Sequence, residues 1–202
     1  MTREHAVTIV LLAGGRATRL PGKLFRPVGD EALVVRVFRQ LTRSGRPCIV
    51  SVREPLPQEL ARHLPAPSVI DTYDDAGPLG GLASAAKQVQ TPLLFAAAGD
   101  LANIGPEVID ALERRYREEA ARGCAPDAVL PRHENGDLEP LAALYDSAWL
   151  RLTSARLLAL GQKKVTGMLE GSRVAYLQIK AADAATFHNV NSADDLAGIR
   201  IP

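Results

Sequence analysis

The stretch "VTIVLLAGGRATRLPGKLFRPVG", residues 7–29, decides the fold. Its first part belongs to "AVTIVLLA" (6–13), a β-branched apolar run without polar alternation. That is the pattern of a strand covered on both faces, as in a parallel sheet. The run leaves through Gly14-Gly15, and Arg16, Arg19, Lys23 and Arg26 line the exit. Glycines let the backbone turn tightly and aim successive N–H groups into one concavity, a nest for anionic oxygens. The cations add charge-assisted hydrogen bonds around it. From Gly14 to Arg46 there are eight Lys or Arg against only Asp30 and Glu31. Alone, the glycine pair reads equally well as a plain strand-exit turn; with the cations, a phosphate chain is favoured. The spacing matches neither G-x-x-x-x-G-K-[ST] nor G-x-G-x-x-G.

Outward from this stretch, apolar runs alternate with helical patterns. Residues 31–45 have helical spacing and stop at Gly45, and 48–52 and 67–71 read as strands. The proline-rich piece 54–67 reads as a short helix between loops. A helix is expected over 80–89 after a glycine turn, a buried strand over 92–98, a helix over 105–123 with Pro106 just inside its start, and a strand over 127–131. Beyond Pro131 the pattern loosens into a final strand, helices and an antiparallel addition. Strands alternating with helices predict an α/β fold: one Rossmann-like domain over 1–202, with a mostly parallel central sheet and helices on both faces. Ligands of such sheets sit beyond the carboxyl ends of the strands, where every motif below begins.

Composition excludes several functions. The chain has 202 residues, 47% hydrophobic and 23% charged, ordinary for a globular domain with one sizeable core. Aromatics are only 4%, which argues against a surface that stacks nucleic-acid bases. The net charge of +1 gives no global field toward DNA or an acidic membrane. No segment approaches the roughly 20 apolar residues needed to span a bilayer. The N-terminal apolar stretch is too short for a secretory signal. Cys48 and Cys124 lie far apart without metal-ligand spacing and read as buried or partly buried thiols. A cytoplasmic protein is expected.

Two further motifs carry chemistry. In "DDAGPLGGLASA" (74–85), Gly77-Pro78 sets a turn and Gly80-Gly81 lets a ligand approach the opening of a helix, whose amide end favours anionic groups. By itself this is also a plain turn into a helix. In "LLFAAAGDLA" (93–102), Asp100 follows a buried apolar strand. It reads either as a solvated cap or as a magnesium ligand, since Mg²⁺ often takes one or two carboxylates and completes its shell with water and phosphate.

The ordered set "LAGGRATRL…GK", "GPLGGL", "GD" after an apolar strand, "LEPLAALY" (138–145), "GQKKVTGML" (161–169) and "NVNSADDL" (189–196) resembles the molybdenum cofactor guanylyltransferase family over nearly the whole chain. The resemblance implies a Rossmann-like nucleotidyltransferase that moves GMP from Mg-GTP to the phosphate of molybdopterin and releases pyrophosphate. By position it implies a nucleotide site of Leu12, Ala13, Gly14, Gly15, Arg16, Lys23, Asp71, Gly77, Pro78 and Leu79. Catalytic roles are implied for Arg19, Lys23 and Asp100, with Asp100 the ligand of Mg²⁺. Lys163, Lys164, Asn189 and Asn191 fall on the acceptor side. Transient contact with proteins that deliver the cofactor or mature molybdoenzymes is a further implication; nucleic acid and membrane are not.

The chemistry agrees with what the sequence lacks. Four histidines are scattered, with no Ser-His-Asp order or His/Cys cluster. A phosphomonoester has its second pKa near ~6 and is already mostly dianionic at neutral pH, so no general base is needed. Catalysis reduces to positioning and charge neutralisation. Departures from the family pattern are Gly22, where an aspartate usually precedes the lysine, Ser51 and Arg53, where asparagines are usual, and Ala98-Gly99 before Asp100. They leave open a cytidylyltransferase of the same pathway, an enzyme of sugar or lipid phosphates, or a catalytically weak binder of nucleotide or pterin. Lys163-Lys164 reads equally as a solvated helix start, and Asn189 and Asn191 as caps of the following helix. Tyr145 and Trp149 are expected in the core, and His63, His133 and His188 at the surface.

Overall fold

The computed structural model describes residues 7–14 and 22–199. Strand β1 (Val7–Leu12) is the axis of a seven-stranded sheet and is buried along almost its whole length. Strands β2 (Pro27–Val28) and β3 (Glu31–Ala32) form a separate small hairpin. Strands β4 (Cys48–Val52) and β5 (Ser68–Ile70) extend the main sheet on one side of β1. On its other side come β6 (Leu93–Ala98), β8 (Ala142–Asp146), β7 (Ala128–Arg132) and β9 (Val174–Gln178), in that spatial order. All neighbours are parallel except β8, which runs antiparallel to both β6 and β7. The expected mostly parallel sheet and its antiparallel addition are both present.

Helix α1 (Leu33–Thr42) and helix α4 (Pro106–Ala121) cover one face, against Ile9, Leu11 and Val50. Helices α3 (Gly77–Ala86) and α5 (Ser147–Ala159) cover the other, against Val10, Leu94 and Tyr145. β1 therefore sends alternate side chains into two cores, and no polar residue could recur along it without being buried. Its one polar residue, Thr8, accepts a hydrogen bond from the Thr91 hydroxyl at 2.7 Å. Short helices α2 (Gln58–Ala61) and α6 (Ala193–Ala197) complete the element list, with 3₁₀ turns at Lys23–Phe25, Val165–Leu169 and Ala181–Phe187.

Several boundaries differ from expectation. The helix expected from residue 31 begins at Leu33, because the Gly29-Asp30 turn folds Glu31 back to pair with Val28. The helix expected from residue 80 begins at Gly77, since proline is tolerated in a first turn where its missing N–H is not needed. Tyr145 is fully buried and Trp149 stacks on it at 6.2 Å, as expected. Cys48 is buried, but Cys124 is exposed, in the loop that follows α4. Among the described residues, no helix is long and apolar enough to cross a membrane.

From β1 the chain moves outward to β4 and β5, and α3 then carries it back across to β6 on the opposite flank of β1. The direction of winding reverses at the β1–β6 boundary. In open α/β sheets, the crevice at such a switch point is where ligands bind.

Candidate active site

At the carboxyl ends of β1, β4, β5 and β6 the structure has a cavity of about 530 Å³. Its floor is made where backbones approach closely. Ala13 N–H donates to the Ser51 carbonyl at 2.8 Å, and Gly99 N–H donates to the Leu12 carbonyl at 3.0 Å. A Cβ on Gly14 would lie 2.9 Å from the Arg53 backbone nitrogen, and one on Gly99 would lie 2.8 Å from the Leu12 oxygen. These glycines are fixed by proximity: any side chain would force neighbouring strand ends apart.

The wall on the β5 side is Asp71 and the opening of α3. Asp71 Oδ1 accepts from Tyr73 N–H at 2.9 Å and from the Ser84 hydroxyl at 3.1 Å. The carboxylate thus ties the β5 exit to the middle of α3. Gly77 and Pro78 bring the first turn of that helix to the cavity, so its unpaired amides contribute positive potential there. Gly81 also lines the cavity, and a Cβ on it would lie 2.8 Å from Ser51 Oγ.

The opposite wall carries the charge. Gly22, at φ 69°, turns the chain into a 3₁₀ turn that begins with Lys23. Lys23 Nζ donates to Asp100 Oδ2 at 2.5 Å, to the Val190 carbonyl at 2.8 Å and to Asn191 Oδ1 at 3.3 Å. The two ionic side chains are 13 and 16 % exposed, so the pair is only lightly screened by solvent. At the rim, Arg53 Nη2 stands 3.5 Å from Asp75 Oδ1, and Asp75 has a positive φ of 52°.

Of the residues singled out from the sequence, Leu12, Gly14, Lys23, Asp71, Gly77, Pro78, Asp100, Asn189 and Asn191 line this one cavity. Ala13 and Leu79 do not: both are buried in the two cores beneath it. Lys163 and Lys164 are exposed on the turn after α5 and are not part of the lining. Gly15, Arg16 and Arg19 lie outside the described residues. The cavity also includes Gly81, which the sequence placed where a ligand approaches the helix opening, and Asp75, Gly99 and Leu141, which sequence reasoning did not assign to the site. Gly81 and Gly99 were legible within the quoted glycine motifs; Leu141 carries no sequence signal, since only the position of β8 brings it there.

The donor set bears on metal binding. Among the described residues no group of three or more His, Cys, Asp or Glu could hold an ion. Asp100 is the one carboxylate beside Lys23, and its Oδ1 has no hydrogen-bond partner among the described residues. A single carboxylate with one oxygen available fits a magnesium ion that takes the rest of its shell from water and phosphate. It does not fit a zinc site, which needs three or four protein ligands.

Comparison with known proteins gives this geometry its class. Residues 9–179 match the family model described as the MobA-like NTP transferase domain. The chain belongs to that family. It is therefore a nucleotidyltransferase. A probable molybdenum cofactor guanylyltransferase of Pyrococcus furiosus is 29% identical over 94% of each chain. The molybdenum cofactor guanylyltransferase of Burkholderia vietnamiensis is 28% identical over 96% of this chain and 95% of its own. The molybdopterin-guanine dinucleotide biosynthesis protein A of Archaeoglobus fulgidus superposes with a TM-score of 0.73 at 24% identity, covering 94% of this chain and 95% of that one. A 2-C-methyl-D-erythritol 4-phosphate cytidylyltransferase of Thermus thermophilus has the same fold, with a TM-score of 0.64 at 17% identity over 93% and 94% of the two chains. The fold of this NTP transferase is thus shared by proteins named for different nucleotides, so the fold does not by itself choose the nucleotide.

Proposed function

We propose that this NTP transferase moves GMP from Mg-GTP to the phosphate of molybdopterin, with release of pyrophosphate. The observation that carries the reading is the meeting of a glycine-opened strand end, a helix amino terminus and the Lys23–Asp100 pair at one cavity. The curated relatives named for guanylyl transfer supply the choice of substrates.

In this reading Leu12 and Gly14 carry the backbone against which the nucleotide lies, and the α3 opening at Gly77-Pro78 faces it from the β5 side. Asp71, already held by Tyr73 and Ser84, presents a fixed acceptor for a nucleoside hydroxyl or base N–H. Lys23 neutralises charge on the triphosphate, and a positioned cation is worth most where water is excluded. Asp100 would hold magnesium, which when bound supplies neutralisation of phosphate charge at the attacked and leaving oxygens. Gly15, Arg16 and Arg19 belong to the same proposal as further triphosphate contacts. Asn189 and Asn191 stand on the acceptor side of Lys23, and Lys163 and Lys164 would act there only from outside the cavity lining. No general base is required, because the attacking phosphate is already a dianion near neutral pH. A cytoplasmic setting, and transient contact with proteins that supply or take up the cofactor, go with this reading.

The test is calorimetric titration of the four nucleoside triphosphates with Mg²⁺, followed by pyrophosphate release on adding molybdopterin. GTP-selective binding and molybdopterin-dependent release are expected. Selectivity for CTP or UTP, or absence of release with this acceptor, overturns the choice of substrates.

A further inference from the structure

Lys23 is held by three acceptors, and two of them, the Val190 carbonyl and the Asn191 amide oxygen, come from an irregular segment near the far end of the chain. That segment would need its own restraint, since an irregular backbone does not fix a carbonyl in place. Part of the restraint is Val190 itself, whose side chain is buried and whose N–H donates to the Asp100 carbonyl at 3.0 Å. The other part is Asp195. Its Oδ2 accepts the N–H groups of both Asn191 and Ser192, each at 2.8 Å, and its own N–H donates to Ser192 Oγ at 3.1 Å. Its Oδ1 lies 3.4 Å from His188 Nε2.

The arrangement is a capping box at the start of α6, but α6 has only five residues. So short a helix adds little stability of its own. The carboxylate instead grips the backbone of residue 191, upstream of the helix, where the site is.

We propose that Asp195 is a positioning residue: by fixing the backbone at Asn191 and Ser192 it holds the Val190 carbonyl and the Asn191 side chain on Lys23 Nζ, and so sets where that ammonium stands in the cavity. The importance of that placement for turnover rests on the function proposed above; the placement itself does not. Asp195 touches neither the cavity nor a reacting atom and acts only through residues 190–192.

The experiment reads Lys23 directly, without substrate. The rate at which an amine-reactive acylating reagent labels Lys23 is followed by peptide mass spectrometry in wild type, Asp195→Ala, Asp195→Asn, Ser192→Ala and Asp194→Ala. Asp195→Ala releases the segment, and labelling is expected to rise on the order of tenfold, the factor for losing a hydrogen bond to a charged group. Asp195→Asn keeps one acceptor oxygen for both backbone N–H groups and stays near wild type. Ser192→Ala removes the helix cap but not the grip on residue 191, and Asp194→Ala removes a charge from the same turn; both stay near wild type. Unchanged labelling in Asp195→Ala, or an equal rise in Ser192→Ala, overturns the proposal in favour of simple capping. If Asp195→Ala does not fold, Asp195→Ser, whose short hydroxyl withdraws the grip but leaves a polar group, takes its place with the same expectation. If the variants show this labelling pattern while the wild type never releases pyrophosphate, the positioning role stands and the proposed reaction falls, so the two failures are distinct.

Discussion

Lys23 Nζ and Asp100 Oδ2 stand 2.5 Å apart, joining residues 77 positions apart in the chain. Neither residue is remarkable by itself in the sequence. One begins a 3₁₀ turn after the first strand and the other follows the fourth strand of the main sheet, and the parallel pairing of β1 with β6 places their carboxyl ends side by side.

Removing one member of this pair separates charge from structure. Asp100→Ala is expected to abolish metal-dependent binding of GTP and to lower pyrophosphate release by roughly 10²–10³-fold. The Val190 carbonyl still receives Lys23, so the fold should lose only about 1–3 kcal/mol. Calorimetry with and without Mg²⁺, together with a denaturant melt, checks both halves.

Close backbone approach makes two glycines irreplaceable. Gly14→Ala and Gly99→Ala each push a Cβ into a neighbouring strand end at under 3 Å. Each should destabilise by about 1–3 kcal/mol. Gly167→Ala meets nothing nearer than 3.4 Å and should be close to neutral. Urea melts of the three variants decide the point, and a neutral Gly99→Ala would contradict the described floor of the cavity.

The two thiols should differ sharply. Burial pushes the Cys48 thiol up to about 12, against a small opposing contribution from the backbone at Leu11. Cys124 is exposed. A thiol reagent at pH 8 is expected to modify one cysteine in the native protein and both after unfolding, since thiolate is the reactive form.

Asp195 gives an acid-side signature. Its carboxyl is held down to about 2, first by the Asn191 N–H, then by the Ser192 hydroxyl and His188. A folded value below the ordinary ~3.9 means its contribution is complete above that pH and is lost as pH falls from about 4 toward about 2. A carbon-detected titration of the Asp195 carboxyl should show its midpoint near 2. An ordinary midpoint would mean that its hydrogen bonds to Asn191 and Ser192 are not held in solution.

Lys163 and Lys164 lie outside the cavity lining, so Lys163→Ala and Lys164→Ala should leave GTP affinity unchanged. Any effect should fall on the concentration dependence of the acceptor alone. Weakened GTP binding, measured by the same calorimetry, would show that this turn reaches the nucleotide.

By itself the sequence determined the class of fold and most of the chemistry. The apolar runs at 6–13 and 92–98, without polar alternation, read as strands covered on both faces, and glycines and charges at their exits marked the end of the sheet where the cavity lies. These signals are local: they follow from what a buried strand excludes and what a tight turn requires. Strand order was not legible. Nothing in "LAALYD" says that it slips antiparallel between β6 and β7, which is what brings Leu141 to the cavity. Nor could spacing show that Ala13 and Leu79 drop into the cores, that Lys163-Lys164 falls outside the lining, or that Asp195 grips the segment behind Lys23. Those outcomes depend on which elements pack together over long separations in the chain, and only the tertiary structure decides them.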